Sequence, residues 1–265
     1  MEDILNSFLE DLSDIEKTFT TLKLLGEIRE EELSILPEVG DNDFINKSIL
    51  LYHGINDGRN GLVKIPGIFV LYIGGRFENY IQTIFEELAI RFVNKFDEFE
   101  RLPKKLKDAI VRDTSKVVSS PRKFGFSEGM AKQFVHNLSK NFLNDFDNIN
   151  HPCLSRTEGN MRSDILSDLF TKIAIKDLWK EVGMHVAVRS NFETDDSGYA
   201  QSEAKSYLNQ FMTKRNSIAH PNGATISWSS FEEVEKDIKY FKMLSRVIME
   251  IGNMKILSIS QVATE

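Results

Sequence analysis

Apolar residues recur at three- and four-residue steps through most of the chain, which is the spacing of one face of an α-helix. The pattern is most regular from Ile4 to Leu22, from about Gly67 to Glu100, and from Phe231 to Ile251. Only six Pro and 15 Gly occur in 265 residues, which argues against a loop-rich β fold. The pattern therefore predicts an all-α chain.

Breaks in this pattern predict loops and boundaries. The stretch from Tyr52 to Gly67 is rich in Gly and reads as a loop, so we place a boundary within it. We predict an acidic N-terminal helical arm over 1–60, a helical bundle over 61–257 and a frayed tail over 258–265. Asp145 to Asn160, which is broken by Pro152 and Gly159, is also predicted to be a loop.

Local signals predict several helix ends. A helix start is expected after Pro103, a cap at Ser127, and a capping box at Ser229–Glu233. A helix is predicted at 165–173 with a continuation over 175–182, His185–Val188 is too short to assign, and 192–199 is predicted to be a loop.

The composition argues against several classes of site and of protein. The single cysteine, Cys153, excludes an intramolecular disulfide and makes a zinc site unexpected. The acidic start is unlike a secretion signal, and no stretch approaches the roughly 18 uncharged apolar residues of a membrane span. We therefore expect a cytoplasmic protein that does not enter membranes.

Charge is distributed unevenly around a net value of −7. Residues 1–46 carry 13 acidic and three basic side chains, whereas residues 101–140 carry ten basic and three acidic ones. Such asymmetry is typical of a nucleic-acid surface with an acidic segment elsewhere, which here could shield residues 101–140. Solvated helix faces that differ in sign are the simpler alternative.

The candidate chemistry lies in Phe211–Gly223, where an amphipathic helix is predicted to end at His220, before Pro221. Arg215 and His220 would be about 140° apart on an unbroken helix, so ending the helix there lets the imidazole turn towards the guanidinium. Together with Asn216 they can surround a phosphate. Arg can bind the phosphate as a bidentate fork, and His can donate or accept a proton near neutral pH. A solvated Arg and a helix-closing His remain the alternative.

The stretch Arg215-Asn216-Ser217-Ile218-Ala219-His220, with the helices on either side of it, resembles the signature of the HEPN superfamily. Tyr72–Tyr80 is similar to an early helix of the subgroup related to the C-terminal region of RNase L. Asn222 stands where some HEPN branches carry Tyr. The resemblance implies an up-and-down helical bundle that forms a homodimer and cleaves RNA without metal or another cofactor.

The resemblance also implies roles for residues in the motif: His220 transfers a proton, Arg215 stabilises charge on phosphorus, and Asn216 orients His220 or holds a phosphate oxygen. Two motifs would meet across a dimer axis, and a toxin–antitoxin or antiviral defence role with a cognate partner would fit. The rival interpretations are a non-catalytic RNA- or protein-binding module and a metal-dependent nuclease that uses Glu78, Asp145 or Asp147.

Further RNA contacts are predicted outside the motif. Arg76 and Glu78 interrupt the apolar long helix and either reach the active pocket or form an ordinary exposed pair. Lys104 and Lys105 begin the basic segment. Arg122 and Lys123 precede two aromatic residues that either stack on bases or dock a loop onto the core. The predicted RNA contacts are therefore Arg76, Glu78, Lys104, Lys105, Arg122 and Lys123.

Overall fold

A computed structural model describes residues 1–27, 47, 50–51, 53–54, 58–157, 159–220 and 228–262. Within these ranges the chain is helical and contains no β-strand. The α-helices are α1 (Glu2–Glu27), α2 (Arg59–Leu62), α3 (Ile65–Val93), α4 (Lys104–Ser119), α5 (Glu128–Phe142), α6 (His151–Leu154), α7 (Ser163–Thr171), α8 (Leu178–Met184), α9 (Val186–Asn191), α10 (Ser197–Ala219) and α11 (Phe231–Val262). The all-α prediction is confirmed.

Helix α3 is the centre of the bundle because it is apolar around most of its circumference. Val70, Ile73 and Phe77 are fully buried, as are most of the large side chains that follow them to Val93. Helices α1, α10 and α11 pack along α3, and α8 packs against α10 and α11. The core therefore runs the length of α3 and fixes the helix that carries the candidate motif.

Helix α1 is part of the same core. Phe8, Leu12 and Phe19 are buried, and the Phe8 ring stacks on Tyr80 of α3 at 4.8 Å between centroids. Asp11 of α1 accepts hydrogen bonds from Arg76. The boundary placed near residue 60 stays a prediction, but residues 1–27 pack on α3 and α11 and do not contact α4 extensively.

The basic helix α4 lies in a different part of the structure. It pairs with α5 and packs on the short α6, around a small cluster of Val117, Phe126, Phe134 and Cys153. Phe126 is buried edge-on against Phe134, which agrees with the docking interpretation of the loop aromatics.

Several predicted boundaries were wrong because tertiary contacts outweigh local signals. Helix α3 ends at Val93 rather than near Glu100, since Phe99 is buried and its N–H is accepted by Asn144 Oδ1 at 2.8 Å. The loop predicted from Tyr52 to Gly67 contains α2 and the first turn of α3, where Pro66 is tolerated because it needs no N–H partner.

Three more segments differ from the prediction. The loop at 145–160 contains α6, which again accepts a proline in its first turn. The helix at 165–182 is split into α7 and α8, with Ala174 between them at φ 63°. The loop at 192–199 ends early, because Asp196 caps α10 from Ser197. The predicted tail overlaps the end of α11, and 263–265 lie outside the described residues.

Candidate functional site

Helix α10 ends as its sequence predicts. Buried Ala204, Leu208 and Phe211 hold it on the core, and His220 is its C-terminal cap, with the backbone turned to φ −132° and ψ 73°. The His220 N–H donates to the backbone oxygen of Asn216 at 2.9 Å. Pro221 and Gly223 lie outside the described residues. The last turn therefore presents Arg215 and Asn216 towards the bundle, and His220 at its exposed end.

The stem of Arg215 crosses α3 at a glycine. A Cβ atom added to Gly74 would lie 3.1 Å from Arg215 Cγ and 3.5 Å from Phe211 Cε1. Ordinary carbon–carbon contacts begin at about 3.5 Å. Because Gly74 has no side chain, the aliphatic part of Arg215 can pack directly against the backbone of α3.

The guanidinium of Arg215 has few strong partners. Its Nη1 donates to Asn160 Oδ1 at 2.9 Å and to Asn216 Oδ1 at 3.3 Å, while Nη2 is 3.8 Å from Glu78 Oε2. The Nε atom is buried and has no hydrogen-bond partner among the described residues. Because a guanidinium offers five N–H donors, this half-buried cation retains donors for an anion.

Glu78 joins three elements around Arg215. Its Oε1 accepts the backbone N–H of Met161 at 3.2 Å, and its Oε2 faces the guanidinium. The Glu78 side chain is 23% exposed, as is the Arg215 side chain. Of the six predicted RNA contacts, Glu78 is the residue that the structure brings to the motif, although a role in RNA binding stays a prediction.

Asn160 was missed by sequence reasoning. It belongs to a polar loop with no helical period, so nothing in the sequence relates it to Arg215. The loop is held on α10 by hydrogen bonds in both directions between Ser163 and Asn209, at 2.9 Å each, and by Arg162 donating to Thr213. These bonds place Asn160 beside the guanidinium.

His220 is exposed, and within the described part of the chain its ring makes no hydrogen bond or ion pair with Arg215. The Asn216 side chain contacts Arg215 rather than the imidazole. The role of Asn216 in orienting His220 or holding a phosphate oxygen, and the approach of imidazole to guanidinium, stay predictions.

The remaining predicted RNA contacts lie elsewhere. Arg76 pairs with Asp11 of α1, so it faces away from the motif. Lys104 and Lys105 are exposed at the start of α4. Near the far end of α4, Arg122 pairs with Glu128 at 2.9 Å and Lys123 lies over the Phe124 ring. Their contacts do not include Arg215.

The acidic residues considered for a metal site are not assembled. Asp145 accepts the N–H of Asp147 and pairs with Lys140, away from Glu78. Among the described residues, no three His, Cys, Asp or Glu side chains are grouped as metal ligands. In the same residues, no helix is both long and apolar enough to cross a membrane.

An ion pair between the partly exposed Lys214 and the buried Asp237 fixes the other side of the motif turn. Lys214 Nζ lies 2.9 Å from Asp237 of α11, and the Tyr207 hydroxyl donates to the same carboxyl at 2.9 Å. Burial raises the pKa of Asp237 above its ordinary value, although Lys214 and Tyr207 partly oppose the rise. Lys214 and Arg215 thus tie successive positions of α10 to α11 and α3.

A second polar cluster holds the start of the loop that carries Asn160. Glu86 of α3 contacts His151 Nδ1 at 2.9 Å and accepts a hydrogen bond from Ser155. Burial acts to raise the pKa of Glu86, but the bonds to His151 and Ser155 outweigh it and hold the pKa below its ordinary value. The loop is therefore anchored on α3 both at Glu86 and at Glu78.

A family model described as RiboL-PSP-HEPN matches residues 10–251. The match runs from α1 into α11 and includes Arg215, Asn216 and His220. No curated protein and no solved structure matches the chain.

Proposed function

Because the chain belongs to the RiboL-PSP-HEPN family, whose superfamily includes many ribonucleases, we propose that it is an endoribonuclease that needs no metal. The single observation that carries the proposal is the half-buried guanidinium of Arg215, whose Nη2 has no contact closer than Glu78 at 3.8 Å among the described residues. A phosphate is an anion that an arginine guanidinium binds with strong, charge-assisted hydrogen bonds.

The reaction uses a nucleophile that RNA carries itself. The 2′-oxygen attacks the adjacent phosphorus, the bond from phosphorus to the 5′-oxygen breaks, and the products are a 2′,3′-cyclic phosphate and a 5′-hydroxyl. One proton leaves the 2′-hydroxyl and another reaches the departing 5′-oxygen, so the enzyme supplies positions, proton transfer and charge stabilisation.

Arg215 stabilises the charge that develops on the phosphate oxygens. Asn160 and Asn216 hold its Nη1, which leaves Nη2 for the phosphate. Glu78 keeps the guanidinium oriented before RNA binds, with its Oε2 at 3.8 Å from Nη2. A phosphate oxygen can make a shorter contact with Nη2 than Glu78 does. Glu78 and Asn160 act here as positioning residues.

His220 transfers the proton. Its ring is exposed at the helix end, where RNA can reach it. One imidazole cannot accept the 2′ proton and donate the 5′ proton at the same moment, so a homodimer that brings two motifs together completes the acid–base pair. A toxin–antitoxin or antiviral defence role, in which a cognate partner restrains the nuclease, is consistent with such an activity.

The test is cleavage of labelled RNA by purified protein in EDTA, with the product ends identified. Arg215→Ala and His220→Ala should each lose cleavage while the circular dichroism and melting temperature stay near those of the unsubstituted chain. Arg246→Ala and His136→Ala are matched controls on exposed positions of α11 and α5. Full activity in either motif variant would refute the mechanism.

The second candidate is a non-catalytic RNA-binding module. It is favoured by the absence of a contact between His220 and Arg215 among the described residues. RNA binding without cleavage, by a chain that is dimeric in sedimentation, would support this candidate over the nuclease. Cleavage that survives EDTA and is lost in His220→Ala would exclude it.

A further inference from the structure

Helix α4 carries a line of cations far along the chain from the motif. Lys105, Arg112 and Lys116 are spaced at seven and four residues, and all three are exposed. On an α-helix these positions lie within about 40° of one another and extend over roughly 16 Å. Arg122 and Lys123 follow in the 3₁₀ turn after α4 and are also exposed. We call these five residues the α4 basic row.

Among the described residues, acidic side chains pair with two members of the row, Arg112 and Arg122, and Lys116 also has an interaction of its own. Asp113 bonds Arg112, but its second oxygen accepts Lys172 Nζ at 2.9 Å, and the carboxyl is only 13% exposed. Its charge is therefore shared with a cation of α7's C-terminal side. Asp108 is the remaining acid on the exposed face of α4.

The ion pairs of the row are on the surface. The Arg122 and Glu128 side chains are 86% and 71% exposed, and the Arg112 side chain is 64% exposed. Exposed pairs contribute little to stability because water competes for both partners. Binding to a polyanion can therefore replace them at small cost.

The whole chain has a net charge of −7, so the ten basic and three acidic residues of 101–140 leave the rest of the chain at −14. A polyanion that approaches such a protein is attracted to this segment and repelled by most other surfaces. The part of the row on α4 faces solvent and is held in place, since Leu106, Ala109 and Ile110 on the opposite side of α4 are fully buried.

We propose that the α4 basic row holds the phosphate backbone of the RNA substrate at a place separate from the cleavage site. The proposal rests on the ribonuclease function for its choice of polyanion. Helix α4 packs mainly against α5 and α6, whereas the motif lies on α10 against α3. The row consequently sets affinity and its salt dependence, while Arg215 and His220 set the rate of the chemical step.

The experiment measures binding of labelled single-stranded RNA to the uncleaving His220→Ala chain as salt is varied. Lys105→Gln, Lys116→Gln and Lys123→Gln are combined in one variant. A matched control combines Lys176→Gln, Lys180→Gln and Lys239→Gln, which remove the same charge from exposed positions of other segments.

The row variant should bind more weakly, and its slope of log affinity against log salt should fall by about 2, since each phosphate contact contributes about 0.7 for a single strand. The control should keep the slope of the parent chain. In the background that retains His220, the row variant should raise KM and leave kcat unchanged.

Three results would overturn the inference. They are equal slopes for the row and control variants, no RNA binding by the parent chain, or a row variant that loses the parent chain's binding to phosphatidylserine vesicles but binds RNA as the parent chain does. None of these decides the proposed function, which is judged by cleavage in the unsubstituted chain. Cleavage with equal slopes refutes the row alone, whereas slope loss without cleavage refutes the nuclease alone.

Discussion

Two adjacent glycines of α3, Gly74 and Gly75, allow the packing of Arg215 against α3 to be tested with a control one residue away. Gly74→Ala and Gly75→Ala both replace a helix-interior glycine, which stabilises a helix by about 1 kcal/mol. They differ in surroundings. A Cβ at Gly75 would meet nothing within 4 Å, whereas one at Gly74 would lie 3.1 Å from Arg215 Cγ. Only Gly74→Ala should therefore disturb the arginine.

The size of the effect follows from the contact. Since ordinary carbon contacts begin at about 3.5 Å, Arg215 Cγ must retreat by about 0.4 Å. The guanidinium lies further along the same side chain, so its nitrogens move by up to about 1 Å, a displacement that can cost about 100-fold in rate. We expect Gly74→Ala to lower kcat by about 10- to 100-fold, which corresponds to roughly 1.4 to 2.7 kcal/mol in the barrier.

The assay combines RNA cleavage with thermal unfolding. Gly75→Ala should retain the parent rate and melt about 2–4 °C higher, as expected for about 1 kcal/mol in a chain of this size. Gly74→Ala should lose rate without melting below the parent chain. If both variants cleave at the parent rate, the position of the Arg215 stem against α3 does not matter for activity, and the reasoning fails.

Three further predictions concern stability and reactivity. Lys214→Met leaves Asp237 buried without its cation and should lower the free energy of unfolding by about 3 kcal/mol at pH 7. Because the pKa of Asp237 is raised, this loss of stability should shrink as pH falls and the carboxyl becomes protonated. A loss that does not change with pH in urea unfolding would contradict this. The lowered pKa of Glu86 contributes stability that is present above the ordinary carboxyl pKa and is lost as pH falls through the folded value. Glu86→Gln should therefore reduce stability at pH 7 more than at pH 3, and equal losses in urea unfolding at the two pH values would argue against the pairing. Burial raises the pKa of the Cys153 thiol to about 12, so a thiol reagent at pH 8 should label it only after unfolding; rapid labelling of the folded chain would show that the α4–α6 cluster opens.

Features that depend on neighbouring residues were predictable from the sequence. The end of α10 at His220 and the Ser127 cap are where the sequence places them. The capping box is formed by Ser230 and Glu233, each of which accepts the other's backbone N–H. Each of these features is decided within one or two turns of helix, and the apolar period decides the rest of the helical content.

Features that depend on residues far apart in the chain were not predictable. Asn160 reaches Arg215 across 55 positions, and Glu86 reaches His151 across 65. The early end of α3 depends on Asn144, which binds Phe99 from 45 residues away. In each case the packing of distant elements brings the two partners together, and no local sequence pattern indicates the pairing.

The order of elements along the chain gives the bundle a built-in delay during synthesis. Helix α3 leaves the ribosome long before α10, and α10 leaves before α11, yet α11 packs on α3 and supplies Asp237 to the turn that holds Arg215. A nascent chain that has exposed the motif but not α11 lacks one wall of that support. The support of the turn that carries Arg215 is therefore complete only after α11 has emerged.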